Sequence, residues 1–235
     1  MTLPGARYVV VTGTDTSVGK TIVTAALAVA RAADGRRVAV VKPLQTGVGQ
    51  DEPGDVDVVA ALSRNTDLHE LVRLRLPLAP ESAARAEGRA LPTVDEHVDR
   101  IRELDADVVI VEGAGGLLVR LDLAGGTIRD LALRLGADVF VVAREGLGTL
   151  NHVALTLEAL AGLGLQTYLV LGSCSSEPGL AETTNRSDLP RLTGLPLAGA
   201  LPEGAGALSA TEFCASAPGW FAAQPSGAPT APPIR

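Results

Sequence analysis

The stretch GTDTSVGKT, residues 13–21, decides the fold class of this chain of 235 residues. A phosphate-binding loop usually has a glycine, four further residues, and then Gly-Lys-Ser or Gly-Lys-Thr. Here Thr14 occupies the first glycine position, and Gly13 stands one position earlier. The stretch follows an apolar run and opens a helical pattern, and backbone amides at such a helix start point towards an anion. We therefore interpret it as a variant phosphate-binding loop, in which Lys20 would reach the β- and γ-phosphates and Thr21 would ligate Mg²⁺.

Apolar runs and helical patterns alternate along the chain. The apolar runs, which are continuous rather than alternating, are residues 8–12, 38–41, 107–111, 138–142, 167–171 and 197–201. Continuous runs indicate strands that are buried on both faces. Helical patterns cover residues 19–33, 56–63, 94–104, 128–135, 151–163 and 180–192, with one short helix expected in the proline-containing stretch 72–92. This alternation predicts a single α/β domain with a doubly wound, mainly parallel sheet and helices on both faces.

Composition limits the classes of partner and the domain boundaries. The predicted domain covers residues 1–221, and the Pro-, Ala- and Gly-rich residues 222–235 are expected to form a disordered tail. A net charge of −7 without a basic cluster argues against a nucleic-acid partner. No apolar run reaches the ~20 residues that span a bilayer, and the start of the chain lacks a signal-peptide pattern. We expect a cytoplasmic protein with no membrane partner, whose Cys174 and Cys214 lack the spacing of metal ligands.

Charged side chains follow two of the predicted strands at their carboxyl ends. Lys42 closes the second apolar run, with Thr46 just beyond it, and Glu112 closes the third run ahead of the glycine-rich residues 113–116. Ligands of open parallel sheets bind at this edge, and nucleoside triphosphatases carry a metal-binding carboxylate there. The alternatives are a solvated lysine and an ordinary glycine-rich turn. We predict a site for an anionic ligand and a cation.

Two aspartates, Asp55 and Asp57, stand at the start of the second helical pattern. Carboxylates at that position commonly cap a helix through its free amides. The other interpretation is a further Mg²⁺ ligand, because Mg²⁺ prefers oxygen donors and keeps several waters. The sequence leaves both open.

Four segments together resemble the dethiobiotin synthetase family. They are GTDTSVGKT at residues 13–21, Lys42-Pro43 with Thr46-Gly47, EGAGG at residues 112–116, and LGTLNH at residues 147–152. The resemblance covers residues 7–205 and identifies the shifted glycine as the family's own form of the loop. It implies a P-loop NTPase-like fold and an ATP-dependent ligase of biotin biosynthesis. Such an enzyme joins 7,8-diaminononanoate (diaminopelargonate), CO2 and ATP into dethiobiotin, ADP and phosphate through a carbamic–phosphoric anhydride.

The resemblance also implies roles for individual residues. Lys42 and Lys20 match catalytic positions, while Thr21, Asp57 and Glu112 match metal ligands for Mg²⁺. The nucleotide-binding positions are Thr16, Ser17, Val18, Gly19, Lys20, Thr21, Ile22, Asp57, Glu112, Gly113, Ala114, Gly115, Ser173, Cys174, Pro202, Glu203 and Gly204. The substrate-binding positions are Thr46, which matches a carbamate contact, and Gly148, Thr149, Leu150 and Asn151, which match the site for the tail carboxylate. Because the family contributes that tail site across a dimer interface, a homodimer is implied. The alternative for LGTLNH is a helix start that Asn151 and His152 merely cap.

Two positions depart from the resemblance, Ser17, where some members carry a glutamate and no loss of activity is expected, and Ser173; two other functions stay open. Ser173 follows the fifth predicted strand, where family members often carry an asparagine that reads adenine. A single hydroxyl lacks the two-sided pattern of an amide, so a relaxed choice of nucleotide base is expected. The alternative functions are a nucleotide-switch ATPase of the partitioning type and a related P-loop amidoligase. The first usually has an extra lysine near the start of the loop, and the second usually needs an amidotransferase region with a nucleophilic cysteine.

Overall fold

A seven-stranded parallel sheet forms the centre of the computed structural model, which describes residues 5–221. The predicted tail, residues 222–235, lies outside the described residues. The strands are β1 Tyr8–Gly13, β2 Val38–Lys42, β3 Gln45–Thr46, β4 Leu68–Glu70, β5 Arg73–Leu74, β6 Val108–Gly116, β7 Asp138–Ala143, β8 Thr167–Cys174 and β9 Leu197–Pro202. The large sheet has the order β4-β2-β6-β1-β7-β8-β9, and β3 and β5 pair in a separate small sheet. Every pairing between these strands is parallel.

Helices connect the strands and cover both faces of the sheet. They are α1 Lys20–Ala33, α2 Asp55–Ser63, α3 Pro80–Glu87, α4 Val94–Arg102, α5 Ile128–Leu135, α6 Thr149–Glu158, α7 Leu180–Thr193 and α8 Ala210–Ser216, with two 3₁₀ turns at Ala205–Ala207 and Ala217–Trp220. The longest, α1 and α7, have 14 residues each. No helix within residues 5–221 combines the length and the apolar character needed to cross a membrane.

Successive valines of β1 point to opposite faces and enter two separate hydrophobic clusters. Val10 belongs to a cluster that includes Ile101 of α4 and Leu131 of α5. Val9 belongs to the other cluster, which includes Leu27 of α1. Side chains of a strand alternate between faces, so a strand with helices on both sides needs apolar residues at every position. The predicted doubly wound α/β architecture is confirmed.

The structure adds elements that the pattern did not predict. The edge strand β4 contains His69 and Glu70 and has only one apolar residue, so it carries no hydrophobic signal. The strands β3 and β5 are two residues long each, too short for any periodicity. Helix α8 was also missed, and α6 begins at Thr149 and ends at Glu158 rather than covering residues 151–163. The expected short helix within residues 72–92 is α3.

Candidate active site

The loop between β1 and α1 requires glycine at position 13. A Cβ atom on Gly13 would lie 2.7 Å from the carbonyl oxygen of Asp15 and 2.8 Å from Cγ2 of Val18. The shifted glycine therefore permits the close turn by which the chain leaves β1. Ser17 and Gly19 then adopt left-handed backbone angles, with φ of 54° and 97°. Left-handed residues within such a loop turn successive amides towards one point, which is the geometry of an anion-binding nest.

Helix α1 begins without a side-chain cap, and so does α6. Their N-cap residues, Gly19 and Gly148, have no side chain that could accept a hydrogen bond from the first-turn amides, and the N-caps of α3 and α7 make no such bond either. The helices whose first turns are closed by capping boxes with a hydroxyl side chain are α4, α5 and α8, through Thr93, Thr127 and Ser209. Uncapped amides carry the positive end of the helix dipole and suit an anionic ligand. The alternative in which Asn151 and His152 cap α6 is wrong.

Both lysines of the 235-residue sequence, Lys20 and Lys42, lie at this edge of the sheet. Their relative exposures are 8% and 3%, although lysine is rarely buried without a partner. The Lys20 ammonium donates to the carbonyl oxygen of Asp15 at 2.9 Å. Burial lowers the pKa of Lys20, and the positive charge of Lys42 lowers it further. A bound triphosphate would reverse that effect by bringing negative charge to Lys20.

Lys42 and Glu112 form a buried ion pair at the ends of β2 and β6. The Oε1 atom of Glu112 accepts hydrogen bonds from Lys42 Nζ at 2.8 Å and from Thr21 Oγ1 at 2.9 Å. Lys42 also forms an ion pair with Asp55 and donates to the carbonyl oxygen of Gly113 at 3.2 Å. The single ammonium group thus joins β2, the start of α2 and the glycine-rich end of β6.

Burial and charge act in opposite directions on this cluster. Burial disfavours the ammonium form, but the carboxylates of Glu112 and Asp55 outweigh it and raise the pKa of Lys42. Burial raises the pKa of Glu112, against the attraction of Lys42. Burial also opposes ionisation of Asp55, yet Lys42 prevails and lowers the pKa of that carboxyl. Two carboxyl groups facing one buried ammonium leave Glu112 short of positive charge, which a cation could supply.

The structure places Asp55, and not Asp57, in this cluster. Gln45 of β3 is buried, and its Oε1 accepts the backbone amide of Asp55 at 2.9 Å, which fixes the start of α2 beside Lys42. The Oδ2 atom of Asp57 instead accepts the amide of Gly54 at 2.7 Å, and 55% of its side chain is exposed. The choice of Asp57 as the site carboxylate is corrected, because Asp57 takes the helix-capping role that the sequence left open.

The oxygen atoms of Thr21, Asp55 and Glu112 are the donor set that the site offers to a cation. Within residues 5–221, no group of three or more His, Cys, Asp or Glu side chains is arranged to hold a metal by itself. Mg²⁺ fits this set better than a metal that needs a complete protein cage. It usually binds one or two carboxylates, substrate phosphates and several waters.

These residues line one cavity of about 510 Å³. Its lining consists of Thr16, Ser17, Gly19, Lys20, Thr21, Ile22, Lys42, Leu44, Gln45, Thr46, Asp55, Glu112, Ala114 and Gly115. The volume lies in the range typical of small-molecule sites. Of the predicted residues near it, Gly113 is buried behind the cavity and contacts Lys42, and Val18 is buried beneath the loop. Sequence reasoning missed Leu44 and Gln45, which lie between two predicted residues, Lys42 and Thr46.

A second predicted region lines another cavity of about 510 Å³, at the ends of β8 and β9. Its lining consists of Cys174, Ser175, Ser176, Ala200, Pro202, Glu203, Gly204 and Trp220. The amide of Glu203 donates to the carbonyl oxygen of Cys174 at 2.8 Å and holds the two loops together. Ser173 is exposed and does not line the cavity. Sequence reasoning missed Ser175, Ser176 and Trp220.

The LGTLNH segment lies apart from both cavities. The hydroxyl of Thr149 donates to the carbonyl oxygen of Arg144 at 2.6 Å, Leu150 is half-buried, and Asn151 is exposed. Beside it is an apolar cavity of about 330 Å³, lined by Thr14, Gly116, Leu117, Leu118, Val119, His152, Leu155, Thr156 and Ala159. The buried hydroxyl of Thr14 has no hydrogen-bond partner within residues 5–221. Asn151 and Thr46 therefore belong to different parts of one chain's surface.

Comparison with known proteins shows the family to which this chain belongs. Residues 7–207 match a family model described as "AAA domain". A relative from Rhodococcus jostii is 51% identical over 215 residues, which are 90% of this chain and 93% of the relative. A relative from Frankia casuarinae is 54% identical, and the match covers 88% of this chain and 89% of the relative. A relative from Streptomyces coelicolor is 50% identical, and the match covers 91% of each chain. All three are named ATP-dependent dethiobiotin synthetase.

Solved structures support the fold. The septum site-determining protein MinD from Pyrococcus horikoshii, in complex with Mg-ADP, superposes with a TM-score of 0.56 at 17% identity. The match covers 88% of each chain. The signal recognition particle receptor FtsY from Elizabethkingia anophelis gives a TM-score of 0.53 at 19% identity, over 92% of this chain and 66% of that one. At these identities the likeness concerns the fold alone.

Proposed function

The chain belongs to the ATP-dependent dethiobiotin synthetase family, and from this premise we propose that it converts diaminopelargonate, CO2 and ATP into dethiobiotin, ADP and phosphate. The observation that carries the proposal is the cavity at the carboxyl edge of the sheet, which is lined by both lysines of the sequence, Lys20 from the phosphate-binding loop and Lys42 from the end of β2. The relatives' names do not favour the two alternatives, a switch ATPase and an amidoligase.

The reaction that this site would serve has three bond-forming steps. One amine of diaminopelargonate adds to the carbon of CO2 and loses a proton, which gives a carbamate. A carbamate oxygen then attacks the γ-phosphorus, and the bond from that phosphorus to the bridging oxygen of ADP breaks. The second amine attacks the carbamoyl carbon and loses a proton, and the carbon–oxygen bond to the phosphoryl group breaks. Dethiobiotin keeps one CO2 oxygen in its carbonyl group, and phosphate leaves with the other.

The two lysines would offset the repulsion between two anionic reactants. Lys20 would contact the triphosphate, and Lys42 would lie between the carbamate and the γ-phosphoryl group. Fixed positive charges aimed at developing negative charge are commonly the largest contribution to such a rate enhancement. Thr46 lines the same cavity, and its hydroxyl would donate to the carbamate. Thr21 and Glu112 hold Lys42 and the loop in this arrangement through the hydrogen bonds on Glu112 Oε1.

We propose Mg²⁺ as the metal of this site, held by Thr21, Asp55 and Glu112. When bound, the ion would neutralise charge on the β- and γ-phosphates. A Glu112 carboxylate that binds the cation would hold the Lys42 ammonium less tightly. The Lys42 ammonium would then be available to contact the substrate. The burial of Glu112 supports this assignment, because it raises the pKa of that carboxyl although both Lys42 and Lys20 attract its negative charge.

We propose a homodimer in which α6 of one chain completes the substrate site of the other. Two exposed leucines, Leu118 and Leu155, line the apolar cavity beside α6 and are 53% and 63% exposed, and Leu147, which is 90% exposed, precedes α6 by two residues. Leu155→Glu should give monomers in sedimentation and raise the KM for diaminopelargonate. Leu192→Glu on α7, at a leucine that is 48% exposed, is the matched control. A dimeric Leu155→Glu variant would contradict the proposed interface.

Recognition of the nucleotide base is proposed to be weak, because none of the residues in 5–221 that line the cavity between β8 and β9 carries a carboxamide. Sites that hydrogen-bond a specific polar pattern reject ligands without it strongly, whereas other pockets discriminate little. CTP and GTP should then support turnover within about tenfold of ATP. A preference for ATP far above that value would show that Glu203, the serines or the backbone reads adenine.

We propose the cytoplasm as the compartment of this reaction, because ATP is available there. The cysteines of the described region, Cys174 and Cys214, are free thiols, which is usual in a reducing compartment. Fractionation of the source cells with antibody detection would test the location.

The test of the function is an end-point assay with purified protein, diaminopelargonate, bicarbonate, Mg²⁺ and ATP. Dethiobiotin and phosphate should form in equal amounts, and omission of diaminopelargonate should suppress phosphate release. Phosphate release that ignores diaminopelargonate and gives no dethiobiotin would favour the switch ATPase instead.

A further inference from the structure

Two adjacent residues of opposite charge, Arg144 and Glu145, follow β7 and lead into α6. Nη2 of Arg144 donates to Oδ2 of Asp15 at 2.8 Å. The other carboxylate oxygen of Asp15 accepts the amide of Thr16 at 2.7 Å, and the Asp15 carbonyl accepts Lys20 at 2.9 Å. Arg144 is therefore bonded to the loop that would hold the phosphates.

Glu145 makes the corresponding connection to the opposite end of the nucleotide site. Its Oε1 accepts the amide of Ser175 at 2.6 Å, and its Oε2 accepts Nε of Arg186 at 2.7 Å. Arg186 donates in turn to the carbonyl oxygen of Ser175 at 2.8 Å, which closes a ring of hydrogen bonds. Ser175 lines the cavity between β8 and β9, so Glu145 is bonded to the loop that would contact the base.

Burial and hydrogen bonds hold Glu145 in one position. Glu145 is only 6% exposed, and burial by itself would raise the pKa of its carboxyl group. The hydrogen bonds from Arg186 and the Ser175 amide outweigh burial, so the pKa of Glu145 is lowered. Asn185 of α7, also buried, donates to the carbonyl oxygens of Glu145 at 2.8 Å and Gly146 at 3.2 Å. Both the side chain and the backbone of Glu145 are thereby held against the β8 side of the molecule.

The same short segment sets the start of α6. The carbonyl oxygen of Arg144 accepts the hydroxyl of Thr149, the first residue of α6, at 2.6 Å. The segment from Arg144 to Thr149 thus contacts the phosphate loop through one residue and the base loop through the next, and ends at the uncapped first turn of α6. A shift of either nucleotide loop would move the amides and side chains at that turn.

We propose that Arg144 and Glu145 are positioning residues that make nucleotide binding and binding of the substrate tail carboxylate reinforce each other. The inference rests on the proposed function, because it takes the first turn of α6 as the tail site. In a dimer, α6 of one chain would contact the diaminopelargonate that is bound in the partner's cavity. The nucleotide bound to the first chain would therefore be coupled to the diaminopelargonate in the site of the partner. Coupling of this kind is reciprocal, so each ligand should tighten the other by the same factor.

Calorimetry on the full chain tests the coupling without turnover. The probes are diaminopelargonate and the Mg²⁺ complex of a non-hydrolysable β,γ-imido analogue of ATP, with bicarbonate omitted. In the wild type, the analogue should tighten diaminopelargonate by about fivefold or more, the lower end of usual coupling factors. In Glu145→Gln and in Arg144→Gln, that factor should fall to about one to two, while thermal unfolding stays cooperative.

The two variants answer different objections. Glu145→Gln keeps an oxygen for the Ser175 amide, removes the charge that faces Arg186, and replaces the oxygen that accepts Nε of Arg186 with an amide nitrogen that cannot accept it. Arg144 is 49% exposed, so Arg144→Gln is expected to fold even where a change at the buried Glu145 does not. Arg191→Gln and Glu158→Gln are matched controls, because they remove exposed charges from α7 and α6 outside the network.

The outcomes separate this inference from the proposed function. Wild-type coupling that persists in both variants overturns the inference. A wild type that makes dethiobiotin but shows no coupling also overturns it and leaves the function in place. A wild type that neither binds diaminopelargonate nor makes dethiobiotin overturns both. Loss of coupling in the two control variants would assign the effect to net charge and would count against Arg144 and Glu145.

Discussion

The ammonium nitrogen of Lys42 lies 2.8 Å from Oε1 of Glu112, and both side chains are nearly inaccessible to water. A buried ion pair of this kind contributes little net stability, because desolvation offsets most of the attraction. Its value in this fold is positional. The pair joins the ends of β2 and β6 at the cavity wall. There the Lys42 ammonium can contact the phosphoryl group that is transferred, and the Glu112 carboxylate can bind a cation.

Loss of Lys42 should remove catalysis. Lys42→Ala is expected to lower kcat by about 100-fold or more, the size seen when a preorganised electrostatic group is deleted. Because that variant leaves the buried Glu112 without its partner, its stability should fall as well. The double variant Lys42→Met with Glu112→Gln removes both charges, so its urea unfolding shows how much of the stability loss comes from the unpaired Glu112. A Lys42→Ala enzyme within tenfold of wild-type turnover would contradict the catalytic role.

The two lysines should titrate in a defined order. Selective labelling of lysine with ¹³C at Cε gives two side-chain NMR signals, because the chain has only Lys20 and Lys42. Burial and the Lys42 charge lower the pKa of Lys20, whereas Glu112 and Asp55 raise that of Lys42. As pH rises, Lys20 should therefore lose its proton first. Addition of a triphosphate analogue with Mg²⁺ should raise the pKa of Lys20, and the reverse order of titration would refute this description of the site.

Asp55 and Asp57 offer a matched pair of variants. Asp55→Asn should lower the apparent affinity for Mg²⁺ by about tenfold or more, in the range seen when residues around a metal are altered. Asp57→Asn weakens the contact with the amide of Gly54 and removes the charge that faces Arg73, and should cost about 0.5 kcal/mol of stability with turnover kept. Turnover as a function of Mg²⁺ concentration, together with urea unfolding, distinguishes them. An Asp57→Asn enzyme with the larger Mg²⁺ defect would restore Asp57 as the ligand.

His97 should make the fold sensitive to acid. It is fully buried on α4, both ring nitrogens lack a partner within residues 5–221, and burial lowers its pKa to about 4. Arg100 lowers that pKa further, against Asp122 and Glu96. The neutral ring is favoured in the folded state, so this contribution to stability is complete above the unfolded pKa of about 6.5 and is lost as pH falls towards 4.

The corresponding measurement is the free energy of unfolding in urea at pH 8 and pH 5. His97 should account for a loss of about 2 kcal/mol over that interval, which His97→Met should abolish. Methionine is similar in size and apolar, so the variant should cost less than about 1.5 kcal/mol at pH 8. An equal acid sensitivity in wild type and variant would exclude His97 as its source.

The sequence predicts the sheet because the valine runs carry their own signal. Val9, Val10 and Val11 are apolar in succession, and only burial on both faces explains that pattern. The edge strand β4 carries no such signal, because an exposed edge tolerates His69 and Glu70. Local patterns thus predict the buried strands but not the edge strand β4.

The site was predicted where one short motif contains both the turn and the chemistry. Residues 13–21 are such a motif, and Lys42 and Glu112 each close a recognisable strand. Asp55 could not be chosen over Asp57 from spacing, because Gln45 on a two-residue strand fixes the start of α2. The contacts of Glu145 with Ser175 and Arg186 join residues 30 and 41 positions apart, and no local pattern encodes them.

Transfer of ¹⁸O from labelled CO2 tests the central claim most directly. Wild-type protein is mixed with diaminopelargonate, Mg²⁺, ATP and freshly dissolved C¹⁸O2, and the products are quenched before the label exchanges with water. If a carbamate oxygen attacks the γ-phosphorus, each phosphate should carry one ¹⁸O, and each dethiobiotin should carry one ¹⁸O in its carbonyl group. Phosphate that contains oxygen from water and no ¹⁸O would mean that this site hydrolyses ATP, and would contradict the proposed reaction.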